Sequence, residues 1–296
     1  MSATQLQDAT STQQLLLEAK QSIQAALAKS AVVILPPMDV NHSIHLMTSL
    51  EIKATTLMLD PWYNKGVGGV RDDYKDYIVA LMEDSSHAAD HVLLWGFPEI
   101  VALFIERIPQ SLQFVAWLTW YYKNNPSVIR GWRSAQMTCL HMAQPNAKLY
   151  PEHFLNDAQK EKQAQGKLRY MPGPTSVIEE PAPYEPANVI EQSLNIGFVG
   201  RKEQTGHPAQ KPVAVYKRIY EMTTKEGDLI LDPMSGSGTT GDAARQLKRK
   251  AIICDLSEEY TQIAEKRLGI ERLKLNEEFI NIQSGTDVTA KAVATV

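Results

Sequence analysis

Two short stretches hold residue types whose spacing could do chemistry. The first is Asp60-Pro61-Trp62-Tyr63-Asn64, directly after the apolar run 55–59. Proline fixes the backbone behind the acid, so a carboxylate and a backbone carbonyl would stand beside a flat aromatic surface. That set suits a planar base carrying an amino group. A strand-end turn with two buried aromatic residues is the plainer reading of the same residues.

The second stretch is Asp232-Pro233-Met234-Ser235-Gly236-Ser237-Gly238-Thr239-Thr240-Gly241. Gly236 and Gly238 let the backbone turn tightly and approach a ligand with no side chain in between. The next apolar run ends in Asp255, 23 positions after Asp232, where a carboxylate can accept hydrogen bonds from two ribose hydroxyls. No Gly-Lys-Ser/Thr follows, so this is not an ATP or GTP phosphate loop. A nicotinamide dinucleotide and S-adenosylmethionine both remain, because Gly236, Gly238 and Gly241 also match the dinucleotide spacing. Asp232 favours the second: a carboxylate repels a pyrophosphate and receives a cation.

These stretches need strands and helices to hold them. Short apolar runs at 31–35, 55–59, 91–95, 114–120, 229–231 and 251–254 read as strands. Helical periodicity covers 15–29, 74–84, 99–105, 213–223, 240–248 and 258–270. Segment 42–50 is ambiguous, and residues 1–14 are polar and read as disordered. Alternating strands and helices predict an α/β fold with a mostly parallel sheet covered on both faces. The pattern lapses over 150–192, which is polar and proline-rich.

With 296 residues, 44% of them hydrophobic, the chain can bury a full core without crosslinks. Cys139 and Cys254 lie 115 positions apart and offer no disulfide framework or zinc cluster, so a reducing, cytoplasmic setting is expected. No apolar run reaches membrane length. The formal charge of −4 excludes a basic nucleic-acid coat but not a local positive face. Lys65, Arg71, Arg130, Arg133, Arg201, Lys202 and Lys211 are candidates for contacts with a phosphate backbone, although each alone reads equally as a solvated charge. The glycines at 66, 68 and 69 read as a loop that closes over a bound base.

Taken together, the motifs resemble those of the amino-methylating DNA methyltransferases. The reactive motif of that family reads Asp/Ser/Asn-Pro-Pro-Tyr/Phe. Its cofactor motif is close to Asp-Pro-Phe-x-Gly-Ser-Gly-Thr-Thr. Gly206-His207-Pro208-Ala209-Gln210-Lys211-Pro212 is similar to a third family motif, and Ile252-Ile253-Cys254-Asp255 and residues 259–267 follow in the family manner. The reactive motif precedes the cofactor motif by 172 positions, as in the permuted beta arrangement.

The resemblance implies a Rossmann-like, circularly permuted methyltransferase fold, with a seven-stranded sheet containing one antiparallel strand. It implies an N-terminal extension at 1–30 that is partly disordered and a catalytic half at 31–140. A target-recognition insertion would occupy 141–195, a cofactor-binding half 196–275 and a tail 276–296. The expected activity is site-specific methylation of adenine N6 in a flipped base, with cytosine N4 or an inactive DNA-binding homologue as alternatives. Asp60, Pro61, Trp62 and Tyr63 would be catalytic. Asp232, Met234, Gly236, Ser237, Gly238, Thr239 and Asp255 would bind S-adenosylmethionine. DNA is the implied partner; a homodimer and a cognate restriction endonuclease are compatible with the family. Trp62 departs from the family pattern by standing where a second proline is usual.

Overall fold

The computed structural model describes residues 3–64, 69–122, 128–129, 132–133, 135–178, 204–205 and 210–276. Their elements run α1 (Ala3–Lys29), β1 (Val32–Ile34), α2 (Val40–Ser49), β2 (Ala54–Leu59), α3 (Tyr74–Ala88), β3 (Ala89–Gly96), α4 (Pro98–Val101) with a 3-10 turn behind it, and β4 (Gln113–Tyr121). A small hairpin of β5 (Val128–Ile129) and β6 (Trp132–Arg133) leads to β7 (Gln136–Ala143). Then come α5 (Asp157–Ala164), β8 (Val177–Ile178), α6 (Val213–Thr223), β9 (Leu229–Asp232), α7 (Thr239–Gln246), β10 (Lys250–Ile253) and α8 (Glu258–Leu268).

One sheet has the order β1-β10-β9-β2-β3-β7-β4-β8. Every neighbouring pair is parallel except those of β7, which runs against both β3 and β4. The expected single antiparallel strand is therefore present, in a sheet of eight strands and not seven. The extra strand is the two-residue β8, which the 141–195 segment lays against the outer edge of β4. No local pattern in so short a pairing could announce it.

Alternation along the strands sorts side chains onto two faces. Leu57, Leu59, Val92, Leu94, Leu231 and Ile252 join the core under α1 to α4, whereas Met58, Leu93, Trp95, Ile230, Ala251 and Ile253 join the core under α6 to α8. Segment 42–50, ambiguous in sequence, forms most of helix α2 and its C-cap at Leu50, and the helix is capped at its start by the Asp39 side chain accepting from the Asn41 amide. Helix α1 starts at Ala3, so residues 3–14 of the stretch expected to be disordered are helical. Its Leu15, Ala19 and Ile23, four apart, are buried. No helix among the described residues is long and apolar enough to cross a membrane.

The pairing that matters most is β2 with β9, in the register Thr56↔Ile230 and Leu57↔Leu231. Parallel pairing brings the carboxyl ends of the two strands to the same edge of the sheet. Those ends carry Asp60 and Asp232, and ligands of open α/β sheets bind beyond such strand ends.

Candidate active site

Beyond these strand ends lies a cavity of about 430 Å³. Asp60, Pro61, Trp62 and Tyr63 line it from β2, and Pro233, Met234, Ser235, Gly236, Ser237 and Thr239 from the turn after β9. Asp255, Leu256 and Tyr260 close the side after β10; Gln210, Lys211 and Tyr216 line the α6 side; Asp39, Val40 and Tyr77 complete the wall.

The glycine turn needs left-handed backbone at Gly236 (φ 50°) and Gly238 (φ 79°). Asp255 fastens it to β10: one carboxylate oxygen accepts from the Gly236 amide at 2.8 Å and the other from the Ser257 amide at 2.9 Å. A carboxylate has about four lone-pair positions, so it can hold the turn and still accept from a ligand. Sequence reasoning did not single out Arg267, yet its guanidinium ties the turn to α8, donating to Ser237 Oγ at 3.2 Å and Thr239 Oγ1 at 3.1 Å and pairing with Asp242 at 3.3 Å. Thr239 Oγ1 in turn donates to the Lys211 carbonyl at 3.1 Å, linking the cofactor motif to the third motif.

Asp232 is placed differently from the sequence expectation of a ligand contact. It is buried beneath the turn, where it accepts from Thr240 Oγ1 and from the Met234 amide and is not part of the cavity wall. Burial, outweighing those two bonds, pushes its carboxyl up from an ordinary 3.8 to about 7. A carboxyl with a raised folded pKa stabilises the fold fully below its unfolded value, and that contribution is lost as pH rises through about 7. Thermal melts should therefore show the native protein losing stability relative to Asp232→Asn as pH climbs from about 4 to above 7. Parallel pH curves for the two proteins would refute this.

On the other wall, the Lys211 ammonium is ion-paired with Asp60 Oδ2, and the two side chains are 3% and 17% exposed. The ammonium also lies 5.4 Å above the Trp95 ring, which is stacked on Tyr216. The expectation that Lys211 contacts a phosphate backbone is thus corrected: it is a buried cation inside the cavity. Sequence gave no sign of this, because Asp60 is 151 positions away. Tyr63 packs its ring on Phe97 at 4.7 Å, and burial and the Asp60 charge push its hydroxyl far above the ordinary tyrosine range. Trp62 turns its indole edge-on toward Tyr74 at 5.3 Å.

Arg71 is not part of the cavity wall; it is bonded to both Asp73 oxygens at 2.7 Å and lies 4.0 Å above the ring of Tyr77, which is. Lys65, Gly66, Gly68, Arg130, Arg201, Lys202 and His207 lie outside the described residues, as does the side chain of Arg133. Cys139 and Cys254 are both buried thiols, and burial pushes the Cys254 thiol up to about 12.

Among the described residues the cavity wall holds three carboxylates, Asp39, Asp60 and Asp255, against one cation, Lys211, which Asp60 already neutralises. Such a site attracts a positively charged ligand and repels a pyrophosphate.

Comparison with known proteins agrees with the motifs. The DNA methylase family, covering enzymes that modify N6 or N4 amino groups, matches residues 28–266. The type II methyltransferase M.HpaI of Haemophilus parainfluenzae is 26% identical over 245 residues, covering 78% of this chain and 73% of that protein. The DNA adenine methyltransferase YhdJ of Escherichia coli is 41% identical over 68 residues, 23% of each chain. Among solved structures, the M1.HpyAVI complex with SAM superposes with a TM-score of 0.58 at 20% identity, over 81% of this chain and 100% of that one, a likeness of fold.

Proposed function

The chain belongs to the N6/N4 DNA methylase family, and from that premise we propose that it moves a methyl group from S-adenosylmethionine to the N6 amino group of an adenine swung out of DNA. The observation that carries the donor is the charge of the cavity. Asp39, Asp60 and Asp255 line it, with Lys211 as their single counter-charge among the described residues, so a sulfonium cation fits where a dinucleotide pyrophosphate does not. Asp255 and the turn through Met234, Gly236 and Ser237 would hold the donor. When bound, S-adenosylmethionine supplies an electrophilic methyl group.

The chain's own residues address the nucleophile. An exocyclic amino group is weak because its lone pair is delocalised into the ring. Asp60 and the Pro61 carbonyl accept its two protons as hydrogen bonds, which localises the lone pair and steadies the positive charge that develops on nitrogen. Asp60 keeps one oxygen on Lys211, and a carboxylate has lone pairs left over to accept from the amino group. Tyr63 and Phe97 offer aromatic surface beside it. The amino group is paired and stacked in a duplex, so the base leaves the helix before reacting.

An acid at position 60 favours adenine over cytosine. The test is digestion of treated DNA to nucleosides and their mass spectrometry: N6-methyladenine is expected. N4-methylcytosine would keep the mechanism and overturn the base, and no methylated nucleoside from a wide sequence pool would sink the assignment.

A further inference from the structure

Asp60 and the Pro61 carbonyl can work only if the backbone between β2 and α3 holds still, and Trp62 does not have the ring that would lock it. Proline fixes its own φ near −65°; tryptophan leaves that torsion free. The Trp62 amide has no hydrogen-bond partner among the described residues, and its φ is negative. The φ torsion of residue 62 is therefore fixed neither by a ring closure nor by a hydrogen bond from its own amide.

The restraint comes from twelve residues downstream. Tyr74 Oη donates to the Trp62 carbonyl at 2.7 Å. Tyr74 is the first residue of α3 and is buried, its ring between Trp62 at 5.3 Å and Phe104 at 6.3 Å. Its hydroxyl thus projects from a fixed helix end. Two further ties close the same segment: the Trp62 indole N–H donates to the Gly69 carbonyl at 3.2 Å, and the Asn64 amide group exchanges two hydrogen bonds with the Arg71 backbone, at 2.6 and 3.0 Å. The Trp62 carbonyl is consumed by Tyr74, whereas the Pro61 carbonyl has no partner among the described residues and stays open to a substrate amino group.

We propose that Tyr74 is a positioning residue for methyl transfer, its hydroxyl supplying through the Trp62 carbonyl the backbone rigidity that a proline at position 62 would provide. This rests on the reaction assigned above to Asp60 and Pro61. Burial and the nearby Asp60 push the Tyr74 hydroxyl up to about 12, so it remains a donor at any working pH.

The test is a four-protein cycle of the native chain, Tyr74→Phe, Trp62→Pro and the double variant, read by kcat on DNA and by amide exchange of the peptide spanning residues 58–64. Phenylalanine keeps the ring and its packing and removes only the hydroxyl. Tyr74→Phe should lower kcat roughly ten- to a hundred-fold with KM for the donor little changed, and should speed exchange at Tyr63 and Asn64. Adding Trp62→Pro should recover most of the lost kcat and slow the exchange again, since proline restores the restraint without a hydroxyl. A merely structural Tyr74 would make the double variant worse than either single one, which overturns the proposal. Unchanged exchange in Tyr74→Phe overturns it too, whatever the activity. A native chain with no methyl transfer but an intact exchange response would sink the reaction assignment while supporting the restraint.

Discussion

Asp60→Ala should lower kcat for methyl transfer about a thousand-fold, the scale of losing a hydrogen-bonding group aimed at developing charge, and should destabilise the protein as well. The two effects have separate causes. The catalytic loss follows from removing the acceptor of an amino proton. The loss of stability follows from Lys211, which is 3% exposed and has its ion pair with Asp60. Removing one partner of a buried pair leaves the other charge uncompensated, at a cost of about 3–5 kcal/mol. Lys211→Met fills similar volume without charge, so Asp60→Ala/Lys211→Met should regain most of the stability and none of the activity. Urea unfolding and single-turnover kinetics on the four proteins separate the two. Additive stability losses would show that the pair is not coupled, and near-native kcat in Asp60→Ala would remove Asp60 from the chemistry.

The second large effect is expected at Gly238. An added Cβ there would lie 3.1 Å from Ala264 Cβ and 3.4 Å from the Ala264 backbone, with φ at +79°. A left-handed alanine costs roughly 1–2 kcal/mol in conformation alone, and the contact with α8 adds overpacking of about 1–3 kcal/mol. Gly238→Ala should therefore destabilise the chain by about 2–5 kcal/mol. Pushing α8 away would also strain the bonds Arg267 makes to Ser237 and Thr239, so binding of S-adenosylmethionine, measured by calorimetry, should weaken at least ten-fold. Gly227 is the internal control, with φ +86° and nothing within 4 Å of its Cβ position. Gly227→Ala should cost only the conformational part and leave cofactor binding intact. Equal effects at the two glycines would mean that the approach of α8 is irrelevant.

Sequence by itself determined the parts whose signal is local. Glycines 236 and 238 announce a tight turn because only residues without a Cβ take left-handed backbone cheaply, and both take it. Short apolar runs placed six strands, and the helical period placed residues 213–223 as the structure has them. The motif order was enough to imply a permuted methyltransferase sheet, because each motif is a short contiguous string. Strand β7 stayed unassigned, since the run Gln136–Ala143 mixes Thr, Cys and His with apolar residues and is buried almost throughout, so it has no alternation to read.

The tertiary structure decided which charges meet. Pairing β2 with β9 puts Asp60 and the glycine turn at one cavity although 172 positions separate Asp60 from Asp232. The same closure took Lys211 from a supposed DNA contact to a buried counter-ion, and sank Asp232 beneath the turn. It also set Tyr74 against Trp62. Burial and long-range pairing are properties of the packed sheet, and the same Lys or Asp in a sequence string is compatible with solvent or core alike.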